Sequence, residues 1–198
     1  MHYFLVDKPY GTLSQFTREA PHHRTLGDLY DFPPTVYPVG RLDRDSEGLL
    51  LLTDDKRLNA ALLHPDRKLP KTYWVRVEGA PSADQLAALR RGPTIRVGKR
   101  DHRCAPATVR PLDEADTATL PPRTPPVRYR KSVPDAWLAL TITEGKNRQV
   151  RRMCAAVGLP VLRLVRTAIG GLDRAALEGA AVRKLEFAEL ARRLPLRS

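Results

Sequence analysis

A charged loop directly before a run of leucines is the segment of this sequence best suited to chemistry. It reads GRLDRDSEGLLLLT over residues 40–53, and its acidic side chains are Asp43, Asp45 and Glu47. Four consecutive leucines bounded by polar residues are typical of a short buried strand. The loop is therefore predicted to be attached to the edge of the core. An ionised carboxylate held there can act as a nucleophile or stabilise a developing positive charge.

A second segment, TEGKNRQVRRMCAAVGLP at 143–160, predicts a helix with Asn147 as its N-cap. One face of this helix is apolar, with residues at i, i+3, i+4 and i+7, namely Val150, Met153, Cys154 and Val157. Arg148 and Arg152 are predicted to point the opposite way, toward solvent or a polyanion. Arg151 lies about 100° from Val150, at the flank of the buried face. Packing can hold the side chain of an arginine at that position while its guanidinium contacts a partner in a cleft.

The strands and helices that must position these two segments do not follow the repeated strand–helix–strand order of βαβ units. Residues 71–79 and 137–143 alternate between apolar and polar side chains, which predicts half-buried strands. Ser82 and Gln85 form a capping box that predicts a helix start, and Asp54 or Asp55 is a second candidate N-cap. Mixed strands and helices in this order indicate an α+β fold with a largely antiparallel sheet.

The charge of the chain limits the classes of partner. Lys and Arg number 34 against 22 for Asp and Glu, so the formal net charge of the 198 residues is +12. Such a balance favours a polyanion such as nucleic acid. No run approaches the roughly 18 apolar residues of a membrane span, and the opening MHYFLVDKPYG does not resemble a signal peptide. We therefore expect a cytoplasmic protein that does not bind membranes.

The cysteines and histidines do not form a metal-binding pattern. Cys104 and Cys154 are fifty positions apart, which fits neither a disulfide framework nor a zinc motif. The pair His22 and His23 and the DHRC segment at 101–104 are possible ligands, but no second ligand pair has metal-site spacing. The sequence predicts reduced thiols and no metal site.

Four motifs together resemble a known family. GRLDRDSEGLLLLT, KTYWV, EGKNRQVRRM and LRLVRTAIG occur in the order, and near the spacing, of the motifs of pseudouridine synthases. The resemblance is to the branch that modifies ribosomal RNA, typified by small-subunit synthase A. The segments DKPYGTLSQFT and PPVRYRKSVPDAWL are similar to members that act on 23S rRNA of the large subunit. The match extends over roughly residues 3 to 180.

The resemblance implies a fold and a domain organisation. The expected fold is α+β, with a mixed, largely antiparallel sheet in two lobes that flank an RNA-binding cleft. Residues 1–180 would form the catalytic domain, and residues 181–198 a C-terminal helical tail. Many relatives begin with a small S4-like RNA-binding domain, and we expect none here, because the catalytic pattern starts at residue 3. We expect a monomer.

The resemblance also implies roles for individual residues. Asp43 matches the catalytic aspartate, Tyr73 the tyrosine that packs on the target base, and Arg151 the basic residue that pairs with the aspartate. Leu164 matches an apolar residue that lines the pocket. The expected contacts with RNA phosphates are made by basic residues near these motifs, namely Arg41, Arg44, Lys71, Arg148 and Arg152.

The implied reaction breaks the C1′–N1 bond of a uridine, rotates the uracil and rejoins it through C5. It involves no net oxidation and no group transfer, so no cofactor is expected. A guanidinium beside Asp43 would keep the carboxylate ionised, because an opposite charge favours the charged form. The expected partner is ribosomal RNA, most specifically 23S rRNA, or a pre-ribosomal particle.

Two other functions fit parts of the sequence. Asp43 and Glu47 are paired carboxylates of the kind that glycosidases use at separations of about 5–9.5 Å. A net charge of +12 nevertheless fits a polyanionic substrate better than a neutral sugar. The arginine-rich segments also fit a non-catalytic rRNA-binding or ribosome assembly factor. Asp43→Asn would then leave the cellular function intact, whereas loss of Arg148 and Arg152 would not.

Overall fold

The computed structural model describes residues 1–128, 130 and 132–194, so the last four residues of the predicted tail lie outside the described chain. The strands in chain order are β1 (Tyr3–Lys8), β2 (Tyr37–Pro38), β3 (Glu47–Thr53), β4 (Lys71–Glu78), β5 (Thr94–Val97), β6 (Arg100–Arg103), β7 (Thr108–Leu112), β8 (Asp135–Ile142), β9 (Val161–Ile169), β10 (Leu172–Asp173) and β11 (Val182–Lys184). The α-helices are α1 (Lys56–Leu63), α2 (Ala83–Arg91), α3 (Glu114–Thr117), α4 (Gln149–Ala156) and α5 (Phe187–Arg193).

The chain forms two compact units. Unit 1 consists of Met1–Leu69 and Arg166–Ser198, and unit 2 consists of Pro70–Val165. The boundary falls within β9, whose residues 161–165 belong to unit 2 and whose residues 166–169 belong to unit 1. The predicted α+β class is confirmed, since helices accompany mostly antiparallel strand pairs in both units.

The leucine run forms β3, the central strand of unit 1. Strand β1 pairs antiparallel with both β3 and β11. Leu49 and Leu51 pack with Tyr3 and Leu5 in one cluster, and Leu50 and Leu52 pack with Phe4 and Val6 in another. All four leucines are at most 1% exposed. The prediction of a buried strand is confirmed, and the lack of alternation has a simple cause: both faces of β3 are covered.

The start of β3 lies against the backbone of β9. A Cβ built on Gly48 would be 2.2 Å from the carbonyl oxygen of Arg166, and Gly48 has a φ of +101°. Arg166 is itself buried, and its Nε donates a hydrogen bond to the carbonyl of Leu49 at 2.7 Å. Both the close approach and the positive φ require glycine at this position. The connection between the charged loop and the buried strand is therefore fixed by the backbone.

In unit 2, β8 lies between β4 and β7 and pairs antiparallel with both. The buried side chains of β4 alternate along the strand, at Tyr73, Val75 and Val77, as predicted. Helix α2 begins at the predicted capping box, in which Ser82 accepts from the backbone N–H of Gln85 at 3.2 Å. Strands β5 and β6 form a separate antiparallel hairpin.

Three details of the sequence interpretation need refinement. Asp55, one of the two candidates, is the N-cap of α1 and accepts from two backbone N–H groups. The prediction of Asn147 as the N-cap of α4 is wrong, because the helix begins at Gln149 after Arg148, whose φ is +52°. The segment from residue 181 contains β11, which pairs with β1, as well as α5.

None of the described helices is long and apolar enough to cross a membrane.

Substituting Gly48 by alanine tests the close approach. Gly79→Ala is the matched control, since its φ of +97° is similar but its Cβ would meet no described atom within 4 Å. We expect Gly79→Ala to lower the free energy of unfolding by about 1–2 kcal/mol, the cost of the left-handed backbone alone. Gly48→Ala should cost at least about 2 kcal/mol more, because backbone must move. Urea denaturation measures both values, and equal losses would contradict the close approach.

Candidate active site

The charged loop is held in place by the segment that follows β1. The hydroxyl of Ser14 donates to the carbonyl of Leu42 at 2.8 Å and accepts from its N–H at 3.1 Å. The N–H of Gly11 donates to the carbonyl of Arg44 at 2.8 Å. These bonds bracket Asp43 on both sides. A further bond from the N–H of Ser46 to the carbonyl of Asp43, at 3.0 Å, closes a turn within the loop.

A buried lysine lies beside the loop carboxylates. Lys8 ends β1, is 0% exposed and pairs in register with Gly48. Its Nζ donates to the carbonyls of Thr12 at 2.8 Å and Pro9 at 3.1 Å. Burial lowers the pKa of Lys8 to about 8, although the carboxylates of Glu47, Asp45 and Asp43 favour its charged form. The Lys8 ammonium therefore interacts electrostatically with all three carboxylates of the charged loop.

The three carboxylates of the loop differ in their surroundings. Glu47 is the first residue of β3 and is 8% exposed, whereas Asp43 and Asp45 are half-buried in the loop. A half-buried carboxylate is held by its surroundings and can still be reached by a ligand. Of the nearby basic residues, Arg41 and Arg44 are exposed, and Arg44 contacts the His23 ring at 2.8 Å. The exposure of both fits the predicted contacts with phosphates.

In unit 2, Tyr73 and Leu164 are both buried, at 8% and 5% exposure, on β4 and β9. Tyr73 pairs with Leu140 in the adjacent strand β8, so its backbone is fixed. Lys71 is half-buried, and its Nζ donates to the carbonyl of Glu144 at 3.3 Å. Lys71 therefore ties the end of β8 to β4, and its contact with a phosphate stays a prediction.

The arginines of the second segment have different environments. Arg148 is exposed, and Arg151 is half-buried with Nη1 3.4 Å from the carbonyl oxygen of Val161. The position of Arg151 at the flank of the buried face agrees with the sequence analysis. Arg152 donates to the carbonyl of Arg96 and, at 2.9 Å, to the Oδ1 of Asn147. Its guanidinium thus joins α4 to β5, a contact that the helical pattern did not predict.

Glu144 is the centre of a hydrogen-bonded cluster at the start of this segment. Its carboxylate accepts from the backbone N–H of Ala105 at 3.0 Å and from the side chain of Gln149 at 2.6 Å, and it lies 3.0 Å from the Nε2 of His102. Burial raises the pKa of Glu144, but these hydrogen bonds outweigh burial and hold the pKa below its ordinary value.

The same cluster contains the residues best able to hold a metal ion among those described. The ligand atoms of His102, Cys104 and Glu144 all lie within 4.8 Å of one another. Both oxygens of Glu144 already contact protein groups, and burial raises the pKa of the Cys104 thiol, which disfavours the thiolate that a metal requires. We therefore interpret the cluster as a structural junction.

The structure places the predicted site residues in both units. Asp43, Arg41 and Arg44 belong to unit 1, whereas Tyr73, Arg151 and Leu164 belong to unit 2 together with Lys71, Arg148 and Arg152. The pairing of Arg151 with Asp43 stays a prediction.

Lys8 and Ser14 were not singled out from the sequence. A lysine between a strand and a proline, in DKPYG, is the local signal that could have indicated Lys8.

The fold of this chain is that of enzymes that isomerise uridine in RNA. The chain belongs to the RNA pseudouridylate synthase family, whose model matches residues 2–156. Membership of this family confirms the resemblance that the sequence motifs indicated. It favours an isomerase over both the glycosidase and the non-catalytic binding factor.

Individual relatives agree with this assignment. The chain is 62% identical over 167 residues to a ribosomal large subunit pseudouridine synthase E from Xanthomonas axonopodis pv. citri, covering 84% of each chain. It is 58% identical to the protein of the same name from Xanthomonas campestris pv. campestris, covering 88% of this chain and 90% of the relative. A crystal structure of a pseudouridylate synthase is similar with a TM-score of 0.75 at 29% identity, covering 98% of this chain and 74% of that one.

The pKa of Lys8 predicts a specific dependence of stability on pH. Lysine titrates at 10.5 when unperturbed and at about 8 here, so between these pH values the unfolded chain binds more protons than the folded protein. The free energy of unfolding should therefore rise with pH in this interval. Relative to Lys8→Met, the wild type should gain about 1–2 kcal/mol between pH 7.5 and 9.5.

Chemical denaturation at several pH values measures this difference. Groups such as Tyr3 and Cys154, whose pKa values burial raises to about 12, occur in both proteins and cancel in the comparison. Lys56→Met, at an exposed position, is the control and should follow the wild type. If the free energy of unfolding of Lys8→Met depended on pH in the same way as that of the wild type, the lowered pKa of Lys8 would be refuted.

Proposed function

We propose that the protein converts one uridine of 23S rRNA to pseudouridine, with Asp43 as the catalytic carboxylate. The observation that carries the role of Asp43 is the constraint on its loop. Ser14 and the backbone of Gly11 hold the residues on either side of Asp43, and Ser46 closes the turn. A carboxylate on a backbone fixed in this way starts from a restricted position, which reduces the reorganisation needed when the substrate reacts. The substrate is proposed from the relatives named as large-subunit synthases.

The proposed reaction is an internal rearrangement. The C1′–N1 bond breaks, and Asp43 either bonds covalently to the nucleoside or stabilises the positive charge that develops on the sugar. The released uracil turns and bonds to C1′ through C5, and in the covalent route the bond between Asp43 and the nucleoside breaks so that the carboxylate is regenerated. The proton on C5 is lost and N1 gains one, so the atoms of the nucleotide are conserved and no cofactor is needed.

Residues of unit 2 are assigned supporting roles. The target base must leave its stack to be reached, as for other enzymes that act on bases. The ring of Tyr73, fixed in β4, would replace the lost stacking, which is worth about 1–3 kcal/mol per base. Arg151 would keep Asp43 ionised by pairing with it. Exposed arginines, namely Arg41, Arg44 and Arg148, would bind phosphates.

The proposed substrate would place the protein in the cytoplasm, with the ribosomal RNA. Either the naked 23S rRNA or a pre-ribosomal particle could present the uridine. We propose that the protein acts as a monomer.

Mapping pseudouridines in a strain that lacks this protein tests the function. Carbodiimide labelling with primer extension should show the loss of one pseudouridine from 23S rRNA and no change in 16S rRNA. The purified wild type should restore that mark on RNA from the deletion strain, either as naked RNA or as particles. An unchanged map of 23S rRNA would refute the proposed substrate, and transfer RNA would then be mapped with the same reagent.

A further inference from the structure

The hairpin of β5 and β6 is strongly basic and exposed. Residues 94–103 carry a net charge of +3. The basic side chains are Arg96, Lys99, Arg100 and Arg103, and the acidic one is Asp101. All five are exposed. Arg96 and Asp101 pair across the hairpin at 3.0 Å, an exposed ion pair of the kind that contributes little to stability. The remaining three cations repel one another and do not explain why the hairpin folds.

The hairpin is instead held by its other face. An isolated two-stranded hairpin is marginally stable in water, so this one needs anchoring. Ile95 is 3% exposed and pairs in register with His102, which lies 3.0 Å from Glu144. Arg152 of α4 donates a hydrogen bond to the carbonyl of Arg96. The anchored face is thus apolar and hydrogen-bonded, while the basic side chains remain exposed.

The anchor also fixes the start of α4. Gln149 is 4% exposed, and its amide donates to Glu144 at 2.6 Å and accepts from the N–H of Lys146 at 2.9 Å. Glu144 contacts His102 of β6 with its other oxygen. One carboxylate therefore holds both the loop that leads to exposed Arg148 and the basic hairpin. We call Glu144, His102, Gln149 and the N–H of Ala105 the Glu144 junction.

We propose that the β5–β6 hairpin is a second RNA-binding element, which contacts phosphates of the substrate away from the target uridine, and that the Glu144 junction positions it against α4. The proposal rests on the proposed function, since it assigns a surface to the same RNA substrate. An exposed cluster of one sign, built on a rigid anchor, is the arrangement that releases counterions from a polyanion on binding.

Paired substitutions at the hairpin tip test the surface. Lys99→Gln with Arg100→Gln removes two charges from the tip. Lys56→Gln with Arg57→Gln removes the same charge from exposed positions at the start of α1, in unit 1. The probe is an unmodified transcript of 23S rRNA. Filter binding at several salt concentrations gives the Kd and its salt dependence, and single-turnover reactions give the maximal rate.

We expect the tip variant to raise the Kd about tenfold at 0.1 M salt and to reduce the slope of log K against log salt by about 1.4–1.8, with the maximal rate unchanged. The control should stay within about twofold of the wild type, because its charges lie outside the proposed surface. Equal effects of the two variants would overturn the proposal. So would an unchanged Kd for the transcript with weakened binding only to ribosomal particles, which would assign the hairpin to a protein partner.

The junction is tested by a variant that makes the protein more positive. Glu144→Ala removes a negative charge, so general electrostatics predicts tighter binding, whereas loss of positioning predicts an increase in Kd of about fivefold or more. Glu144→Gln can still accept from Ala105 and Gln149 and donate to His102, and it should restore wild-type binding. A Glu144→Ala protein that binds the transcript as tightly as the wild type, or more tightly, would overturn the positioning role.

The same reactions separate the two proposals. Failure of the wild type to form pseudouridine in the transcript and in particles would refute the proposed function, whatever the binding data. Product formation by the wild type, with equal binding by the tip and control variants, would overturn the hairpin alone.

Discussion

The close contact between the start of β3 and the backbone of β9 is the constraint on which the candidate site of unit 1 depends. At Gly48 there is no space for even one additional carbon atom, since Arg166 occupies it. Strand β3 is buried on both faces, so a shift of register by one residue would exchange its two packed faces. A loop that leads into such a strand has one end fixed, and Asp43 lies four residues before it.

Lys8 shows that this arrangement has an electrostatic cost. Burying an ammonium group is unfavourable, and the lowered pKa expresses that cost. Two carbonyl acceptors and three neighbouring carboxylates offset it. The charge of Lys8 and those of the loop carboxylates therefore depend on the same local packing, which couples the stability of unit 1 to the electrostatics of the charged loop.

Local patterns predicted the regular elements well. The leucine run, the alternation in β4 and the capping box of α2 depend on residues that are close in sequence, and each was found as expected. The capping of α4 was not, because Asn147 accepts a hydrogen bond from Arg152 and the helix begins after a left-handed residue. Propensity favours asparagine as an N-cap, and a contact with the following turn of helix outweighed it.

The contacts that hold the candidate site were not predictable in this way. Ser14 is 28 residues from Leu42, and His102 is 42 residues from Glu144. No periodicity relates such positions, so single-sequence reasoning found the charged side chains and missed the groups that position them. Asp43 was predicted because its motif is long and resembles that of a family, and Arg151 because both helical geometry and a family motif pointed to it. The contacts of Lys8, Ser14 and Glu144 required the three-dimensional structure.

The most direct test of the account compares the three loop carboxylates in one reaction. Bonding through C5 releases the hydrogen on that carbon, so RNA labelled with tritium at C5 of uridine reports turnover. We predict that Asp43→Asn lowers the single-turnover rate at least about 10³-fold, or about 4 kcal/mol in the barrier, with little change in the Kd for RNA. Asp45→Asn and Glu47→Gln should lose far less. Release of tritium by Asp43→Asn at the wild-type rate would contradict the central claim.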